Sequence, residues 1–210
     1  NGIFRFDKPP LIYWLMGFFY ALPKNEIWDT FGTLSARLPS ALGSLFLMLM
    51  IGDTLFCWPQ KGDRQFLTPI LASLGFALSP FIIIWSRTAV SDALLTGTLG
   101  ISLLLFWRRM ASDNSDQCIL AWVFLGFAIL TKGPVAFVLA ALTITSFLFC
   151  QKDWKRLLYK INPKKGFLIT ILISVPWYIL ELLKEGKPFW DSFFGYHNFQ
   201  RYTSVVNNHA

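Results

Sequence analysis

The chain has 210 residues, of which 54% are hydrophobic and 15% charged, and its mean hydropathy is +0.49. This composition excludes an ordinary soluble domain, and apolar runs along the whole length indicate an all-α, polytopic membrane protein. The apolar residues do not alternate in twos, which argues against a β-barrel. The net charge of +7 lies mostly in short loops between apolar runs, so we expect a lipid bilayer and no nucleic acid as partner.

The first motif is Asp7-Lys8-Pro9-Pro10, an acid and a cation directly before an apolar run. Two prolines end any preceding helix and suit the first turn of a following one. Asp7 and Lys8 are therefore expected on irregular backbone, facing water, a partner or a ligand. The alternative is a membrane-edge anchor, with the Lys8 ammonium group at the interface. The run 10–22 is too short to cross a membrane and predicts a short helix at the membrane face or packed against other helices.

Six transmembrane helices are predicted after a polar loop at 23–35. They cover about 36–57, 66–85, 89–107, 118–131, 134–150 and 167–183. The fourth and fifth are separated only by Lys132-Gly133-Pro134. We separate them because the basic loops on either side then fall on one face of the membrane.

The loops 58–65, 108–117 and 151–166 carry ten of the 19 Lys and Arg residues, which places them in the cytoplasm. The opposite face then collects the first motif, the turn from Arg87 to Asp92, the Lys-Gly-Pro turn and the tail 184–210. Every unusual polar feature is therefore expected on the extracytoplasmic side.

The turn Arg87-Thr88-Ala89-Val90-Ser91-Asp92 joins two predicted spans and places Asp92 in the first turn of a helix. One role for Asp92 is a favourable charge at a helix N-terminus. The other is a carboxylate that faces a water-filled cavity and pairs with Arg87 or Lys8, and of these we expect Lys8. Lys132 is a second candidate, although its ammonium group could also extend to the interface.

The tail from Phe193 to Tyr202 alternates aromatic and polar residues, and Arg201 offers a planar group suited to phosphate. A divalent metal bound by His197 and Asp7 is a further candidate, although no cofactor is required by the pattern. Cys57, Cys118 and Cys150 have no metal-ligand spacing, and we interpret them as small core residues.

Cations suit a phosphate, aromatic rings suit a sugar and apolar helices suit a lipid tail, so the combination predicts a site for a sugar carried on a lipid phosphate. A membrane transporter or flippase of an anionic or lipid-linked solute is the main alternative. Polar groups gathered at one face, with few charges at mid-span, argue against it. A membrane scaffold explains neither the Lys-Pro-Pro motif nor the turn before Asp92.

Six sequence motifs occur in order along the chain: Asp-Lys-Pro-Pro-Leu-Ile-Tyr-Trp-Leu at 7–15, Ala-Arg-Leu-Pro-Ser-Ala-Leu at 36–42, Arg87 with Asp92, Leu-Thr-Lys-Gly-Pro-Val-Ala at 130–136, Val-Pro-Trp-Tyr at 175–178 and Tyr-His-Asn-Phe-Gln-Arg-Tyr-Thr at 196–203. In these motifs the chain shows a resemblance to the GT-C type glycosyltransferases, in particular protein O-mannosyltransferases and bacterial lipid A aminoarabinose transferases. It implies inverting transfer of a sugar from a polyprenyl phosphate donor to a lipid, glycan or protein acceptor. The implied location is the outer face of the inner or plasma membrane.

The resemblance also implies roles for individual residues. Lys8 and Arg201 would contact the donor phosphate, and Asp92 would line the same cavity. The candidate catalytic residues are Asp7, Lys8 and Asp92, and the candidate substrate-binding residues are Lys8, Arg87, Lys132, His197, Asn198 and Arg201. Members of the family carry an Asp-Glu pair before Lys-Pro-Pro, with the expected base, and this chain lacks it. We therefore expect residues 1–210 to be one transmembrane domain from which the first span and its catalytic loop are missing.

Overall fold

The computed structural model of the protein describes residues 8–22, 32–58, 66–112, 115–193 and 195. In this part of the chain all regular secondary structure is helical, which confirms the all-α prediction. The helices are α1 Leu11–Ala21, α2 Thr33–Cys57, α3 Leu67–Ala77, α4 Pro80–Ser86, α5 Ser91–Ala111, α6 Ser115–Lys132, α7 Pro134–Phe149, α8 Trp154–Lys160, α9 Pro163–Glu185 and α10 Lys187–Trp190.

The short helix α1 begins directly after Pro10, where the proline sequence predicted a start. Its Ile12 side chain is only 2% exposed. At its other end, the Ser35 hydroxyl of α2 donates a hydrogen bond to the Phe19 carbonyl oxygen over 3.2 Å. The helix is therefore packed against α2, while its predicted position at the membrane face stays a prediction.

Helices α2 and α5 run side by side in the same direction. Near their starts, the Ser40 hydroxyl donates to the Val90 carbonyl oxygen over 2.9 Å. Further along, a Cβ atom added to Gly97 would lie 2.5 Å from the Gly43 carbonyl oxygen. The two backbones can approach this closely because neither glycine has a side chain, an arrangement common between helices in membranes.

The predicted span 66–85 consists of two helices, α3 and α4, which meet at a bend of 60°. The bend has a local cause, because Pro80 cannot donate a backbone hydrogen bond to continue α3. Ser79 has extended torsion angles (φ −59°, ψ 128°), as expected for a residue before proline. The pair packs against α2 and returns the chain to the end of the bundle where α2 begins.

Helix α6 runs antiparallel to α5, and α9 runs parallel to α6. The Thr170 hydroxyl donates to the Trp122 carbonyl oxygen over 3.0 Å, and further along the Tyr178 hydroxyl donates to the Ile129 carbonyl oxygen over 3.1 Å. Helix α7 lies between α6 and α9 in the sequence and runs in the opposite direction to both. It begins after a break at Gly133, where φ is +83°. This break confirms the predicted separation of two helices.

The main apolar core lies between α2, α5, α6 and α7. Phe106 is fully buried there, and its ring meets the ring of Trp122 edge to face, with the centroids 4.9 Å apart. This core holds α5 against α6 and so fixes the ends of both helices relative to each other.

Two helices, α2 and α9, are long and apolar enough to cross a membrane, and the bent α3–α4 pair would make a third. Helices lie at all six positions predicted for spans, and their directions alternate along the chain. The chain therefore has helices of membrane-spanning character, while the number of spans stays a prediction.

Two of the predicted loops are partly helical. Arg108 and Arg109 belong to the last turn of α5 and not to a loop, because no helix-breaking residue precedes Ser112. The basic segment 151–166 contains α8 and the start of α9. Arg108 is 6% exposed, and its Nη2 lies 2.6 Å from Asp53 Oδ2. It therefore joins α5 to α2, with its own side chain buried and that of Asp53 62% exposed, and does not act as a loop charge.

The three cysteine thiols are free. Cys118 is buried, as expected of a small core residue, whereas Cys57 and Cys150 are exposed. The interpretation as core residues is wrong for these two, since each lies at the end of a helix, beyond the packed part of the bundle.

Candidate active site

The start of α5 and the end of α6 bring a carboxylate and an ammonium group into contact. Asp92 lies in the first turn of α5, as predicted, and Lys132 lies in the last turn of α6. Lys132 Nζ donates to Asp92 Oδ1 in an ion pair. The Lys132 and Asp92 side chains are 38% and 29% exposed, so the pair lies at the edge of the bundle and not in its core.

The helix dipoles favour this arrangement of charges. An anion is stabilised at a helix N-terminus and a cation at a helix C-terminus, typically by ~0.3–1 kcal/mol each. Asp92 occupies the first position and Lys132 the second, and the antiparallel packing of α5 and α6 places the two helix ends side by side. The pair is therefore held by its own attraction and by both helices.

The turn after Lys132 is fixed by aromatic contacts. Gly133 adopts a positive φ that side chains disfavour, and a Cβ atom there would lie 3.1 Å from the Phe193 ring and 3.7 Å from the Tyr178 hydroxyl. Only glycine fits both the backbone conformation and this space. Tyr178 in turn donates to the Ile129 carbonyl oxygen, one turn before Lys132.

The residues after α9 fold back onto this turn. Phe189 and Phe193 are each 1% exposed, and their rings stack with centroids 5.5 Å apart. The Trp177 ring meets Phe189 edge to face at 5.8 Å. The chain that leads into the tail motif is thereby anchored next to Lys132.

A cavity of about 330 Å³ lies between α4 and α5, and Asp92 forms part of its wall. The wall also includes the aromatic rings of Phe81 and Trp85 and the side chain of Thr96. A carboxylate beside aromatic surface is a chemistry that suits a sugar, because hydroxyls bond to the carboxylate and C–H groups pack on the rings.

Two further predicted residues lie in the described part of the chain without joining the pair. Lys8 is half-buried before the buried Pro9 and Pro10, and it has no ion pair with another described residue. Arg87 ends α4, is exposed and likewise has no ion-pair partner among the described residues. The expectation of a direct ion pair between Asp92 and Lys8 or Arg87 is therefore wrong, because the end of α6 lies directly beside Asp92 and supplies Lys132 instead. A water-bridged approach of Lys8 to Asp92 stays a prediction.

Asp7, His197, Asn198 and Arg201 lie outside the described residues, so their predicted roles stay predictions. Among the residues that the structure describes, no three His, Cys, Asp or Glu side chains are grouped as metal ligands would be. The candidate metal ligands, Asp7 and His197, lie outside the described residues.

Sequence reasoning did not identify three residues of this region as parts of the site. Tyr178 belongs to the Val-Pro-Trp-Tyr motif, which could have pointed to it, and Phe193 opens the aromatic tail. Ser91, directly before Asp92, is 1% exposed, and its hydroxyl has no hydrogen-bond partner among the described residues. A buried serine at a helix start has no sequence signal that separates it from an ordinary cap.

An all-helical chain with membrane-length apolar helices, and with an ion pair at one end of the bundle, belongs to the class of helical membrane proteins. Its sequence matches the family of dolichyl-phosphate-mannose-protein mannosyltransferases over residues 7–180. The match covers most of the chain, and the protein belongs to this family. The resemblance seen in the sequence motifs is thus confirmed.

Curated relatives extend this result. A protein of Aquifex aeolicus described as uncharacterized is 33% identical over 215 residues, which cover all of this chain and 44% of that protein. The undecaprenyl phosphate-alpha-4-amino-4-deoxy-L-arabinose arabinosyl transferase 1 of Pseudomonas fluorescens is 28% identical over 213 residues, covering all of this chain and 36% of that protein. The chain thus spans less than half the length of these relatives.

The fold is similar to two crystal structures of ArnT from Cupriavidus metallidurans, one in the apo state and one bound to undecaprenyl phosphate. Each has a TM-score of 0.78 and 24% sequence identity. The comparisons cover 93% and 95% of this chain and 35% of ArnT. At this level of identity, the likeness establishes a shared fold.

Proposed function

We propose that the protein is a glycosyltransferase that moves a sugar, with inversion, from a polyprenyl phosphate donor to a lipid, glycan or protein acceptor. The observation that carries this proposal is the Asp92–Lys132 ion pair beside a cavity with aromatic walls. A cation suits the donor phosphate, and the rings suit its sugar. The name of the P. fluorescens relative and the ligand of the second ArnT structure support a donor of this kind.

In the proposed reaction an acceptor oxygen attacks the anomeric carbon while the bond from that carbon to the phosphate oxygen breaks. The acceptor proton passes to a carboxylate, and the polyprenyl phosphate leaves with negative charge that nearby cations stabilise. Asp92 and Asp7 are the candidate carboxylates in this chain. Lys8, Lys132 and Arg201 are the candidate cations.

We further propose that Asp92 has a positioning role toward Lys132. A lysine ammonium group has three donors, so Lys132 can keep its bond to Asp92 and still donate to a phosphate oxygen. Arg87, at the end of α4, and His197 with Asn198, in the tail motif, are proposed to complete the contacts with substrate. Phe193, which is buried beside Gly133, precedes His197 by four residues in the sequence.

The whole of 1–210 is proposed to be one transmembrane domain with six spans, formed by α2, the α3–α4 pair, α5, α6, α7 and α9, in the inner or plasma membrane. The Asp92–Lys132 end would face outward. The argument is the positive-inside rule, since α8 and the start of α9, at the other end, are rich in Lys and Arg.

Cysteine labelling tests this topology. In a variant that lacks Cys57, Cys118 and Cys150, a membrane-impermeant thiol reagent added to intact cells should label Lys187→Cys and not Lys155→Cys. Both positions are exposed in the structure, so access depends on the side of the membrane. The reverse pattern would contradict the orientation, and labelling of both would contradict the span count.

Transfer itself is tested with the full-length protein in vesicles, using polyprenyl phosphate that carries a radiolabelled sugar. Asp92→Asn should slow formation of the glycosylated acceptor by about 10–100-fold, because a hydrogen bond to a charged group contributes ~1.5–3 kcal/mol. Asp191→Asn is the matched control, since Asp191 is an exposed carboxylate at the same end. Movement of unaltered sugar-lipid across the bilayer without a new glycosidic bond would instead identify a transporter.

A further inference from the structure

A second cavity, of about 580 Å³, lies at the opposite end of the bundle from the Asp92–Lys132 pair. It is enclosed by the end of α5, the start of α6, α8 and the start of α9. From Asp92 to Arg109, α5 rises by ~26 Å at 1.5 Å per residue. The two cavities are therefore separate, and the proposed sugar transfer does not account for the second one.

The charges around this second cavity are of one sign. Arg109, Arg156, Lys160 and Lys165 line it, and no carboxylate does so among the described residues. Arg156 and Lys165 form no ion pair with any other described residue. Cations that share one enclosure repel each other, and a bound anion would relieve this repulsion.

The walls of the cavity are fixed by contacts between helices. Arg109 Nε donates to the Lys160 carbonyl oxygen over 3.0 Å, and Trp122 Nε1 donates to the Ile161 carbonyl oxygen over 2.9 Å. The Trp122 ring lies so close to Gly166 that a Cβ atom there would be 1.9 Å from the ring. The cavity is thus formed before any ligand binds, which lowers the entropic cost of binding.

The start of α9 also favours an anion. Its first turn has no acidic residue and carries Lys164 and Lys165, although the positive end of the helix dipole disfavours cations there. An anion in the adjacent cavity would contact Lys165, which lines it, and complement the dipole. This charge pattern breaks a local preference, as sequences do mainly at functional positions.

An apolar surface continues from the cavity along the bundle. Ile119 and Ile169 line the cavity, and Leu172 follows Ile169 on the same side of α9 and is 64% exposed. A soluble anion would make no contact with such an apolar surface, whereas the acyl chains of a lipid would pack against it. We propose that this cavity binds the phosphate group of an anionic membrane lipid whose acyl chains lie along α6 and α9.

Binding is measured on the purified full-length protein in neutral detergent by titration with dioleoyl phosphatidylglycerol. The test variant is Arg156→Gln with Lys165→Gln, and the matched control is Lys152→Gln with Lys164→Gln. Both variants remove two exposed cations from the same segment, but only the first pair lines the cavity. Salt of about 0.5 M shortens the screening length to a few ångströms and suppresses diffuse attraction.

We expect phosphatidylglycerol to bind the unaltered protein and the control with similar affinity. The test variant should bind it about 25-fold more weakly, roughly fivefold for each cation. Phosphatidylcholine should bind much more weakly, and millimolar inorganic phosphate should not compete. If both variants lost affinity for phosphatidylglycerol equally, the effect would be one of overall charge. If inorganic phosphate competed, the ligand would be a soluble anion. Either result would overturn the proposal. Neither outcome depends on whether the protein transfers a sugar, because the titration measures lipid binding alone.

Discussion

The Asp92–Lys132 ion pair should behave as one unit in stability measurements. The perturbation is a double-mutant cycle of Asp92→Asn, Lys132→Gln and the two together, in the full-length protein. Each single change leaves one half-buried charge without its partner, whereas the double change removes both charges. The double variant should therefore lose less stability than the sum of the two single variants.

The expected size follows from the burial of the pair. Exposed ion pairs contribute ~0.2–1 kcal/mol, and removing one partner from a fully buried pair costs ~3–5 kcal/mol. With side chains 38% and 29% exposed, the pair lies between these limits. We expect each single variant to lose ~1–2 kcal/mol and the coupling between them to be ~1 kcal/mol.

The measurement is the midpoint of thermal denaturation of the purified protein in detergent, compared across the cycle. Asp191→Asn serves as a control, since Asp191 is exposed and forms no ion pair with another described residue. Independent sites add to within ~0.5 kcal/mol, so strictly additive single effects would refute the claim that the two charges depend on each other.

A charge swap separates the contact from the helix dipoles. Asp92→Lys combined with Lys132→Asp keeps the pair and its combined side-chain length but reverses both charges against α5 and α6. Each charge then loses a favourable interaction of ~0.3–1 kcal/mol and gains an unfavourable one of that size, so the swap should cost ~1–4 kcal/mol in total. Full stability of the swapped variant would mean that the dipoles contribute nothing here.

Three other substitutions test separate parts of the argument. Lys8→Ala should lower sugar transfer by about 10–100-fold while the protein still inserts, whereas normal turnover would make Lys8 a membrane anchor. Tyr178→Phe should destabilise the protein by ~0.5–1.5 kcal/mol through loss of its bond to the Ile129 carbonyl oxygen, measured as a lower denaturation midpoint. Gly97→Ala should destabilise the protein by ~1–3 kcal/mol because its Cβ meets the Gly43 backbone. Gly75→Ala, with open space around it, is the control and should be neutral or stabilising. Equal denaturation midpoints for the two variants would contradict the close contact of α2 and α5.

The helix boundaries were predictable where a local rule decides them. Helix α1 follows Pro10, α7 begins at Pro134 after a glycine, and Asp92 lies in the first turn of α5. Proline geometry and helix capping depend only on neighbouring residues, so the sequence contains all that is needed. The bend at Pro80 belongs to the same class, and the Ser79-Pro80 step could have predicted it.

The partners of charged groups were not predictable in this way. Two cations, Lys8 and Arg87, were expected as partners of Asp92, whereas its partner in the structure is Lys132, which is 40 residues away in sequence. Arg108 likewise meets Asp53 and Thr54 across more than 50 residues. Helix directions identify which residues share an end of the bundle, but contact depends on which helices are neighbours and how they are rotated. Those features are set by packing, such as the Gly43–Gly97 contact, and not by charge.

A ligand would meet a different arrangement of charges at each end of α5. At the first end, Lys132 already donates to Asp92, so a phosphate must share the ammonium group with that carboxylate or displace it. The three donors of a lysine allow sharing, which would orient the ammonium group toward a defined phosphate oxygen and suits a reaction that needs precise positioning.

At the second end, the cations line a preformed cavity without a carboxylate among the described residues, so binding needs no exchange of partners. That arrangement suits stable retention of a lipid. Counting Lys and Arg residues predicts the membrane side of each end, but only the presence of Asp92 beside Lys132 separates a candidate reaction site from a candidate binding site.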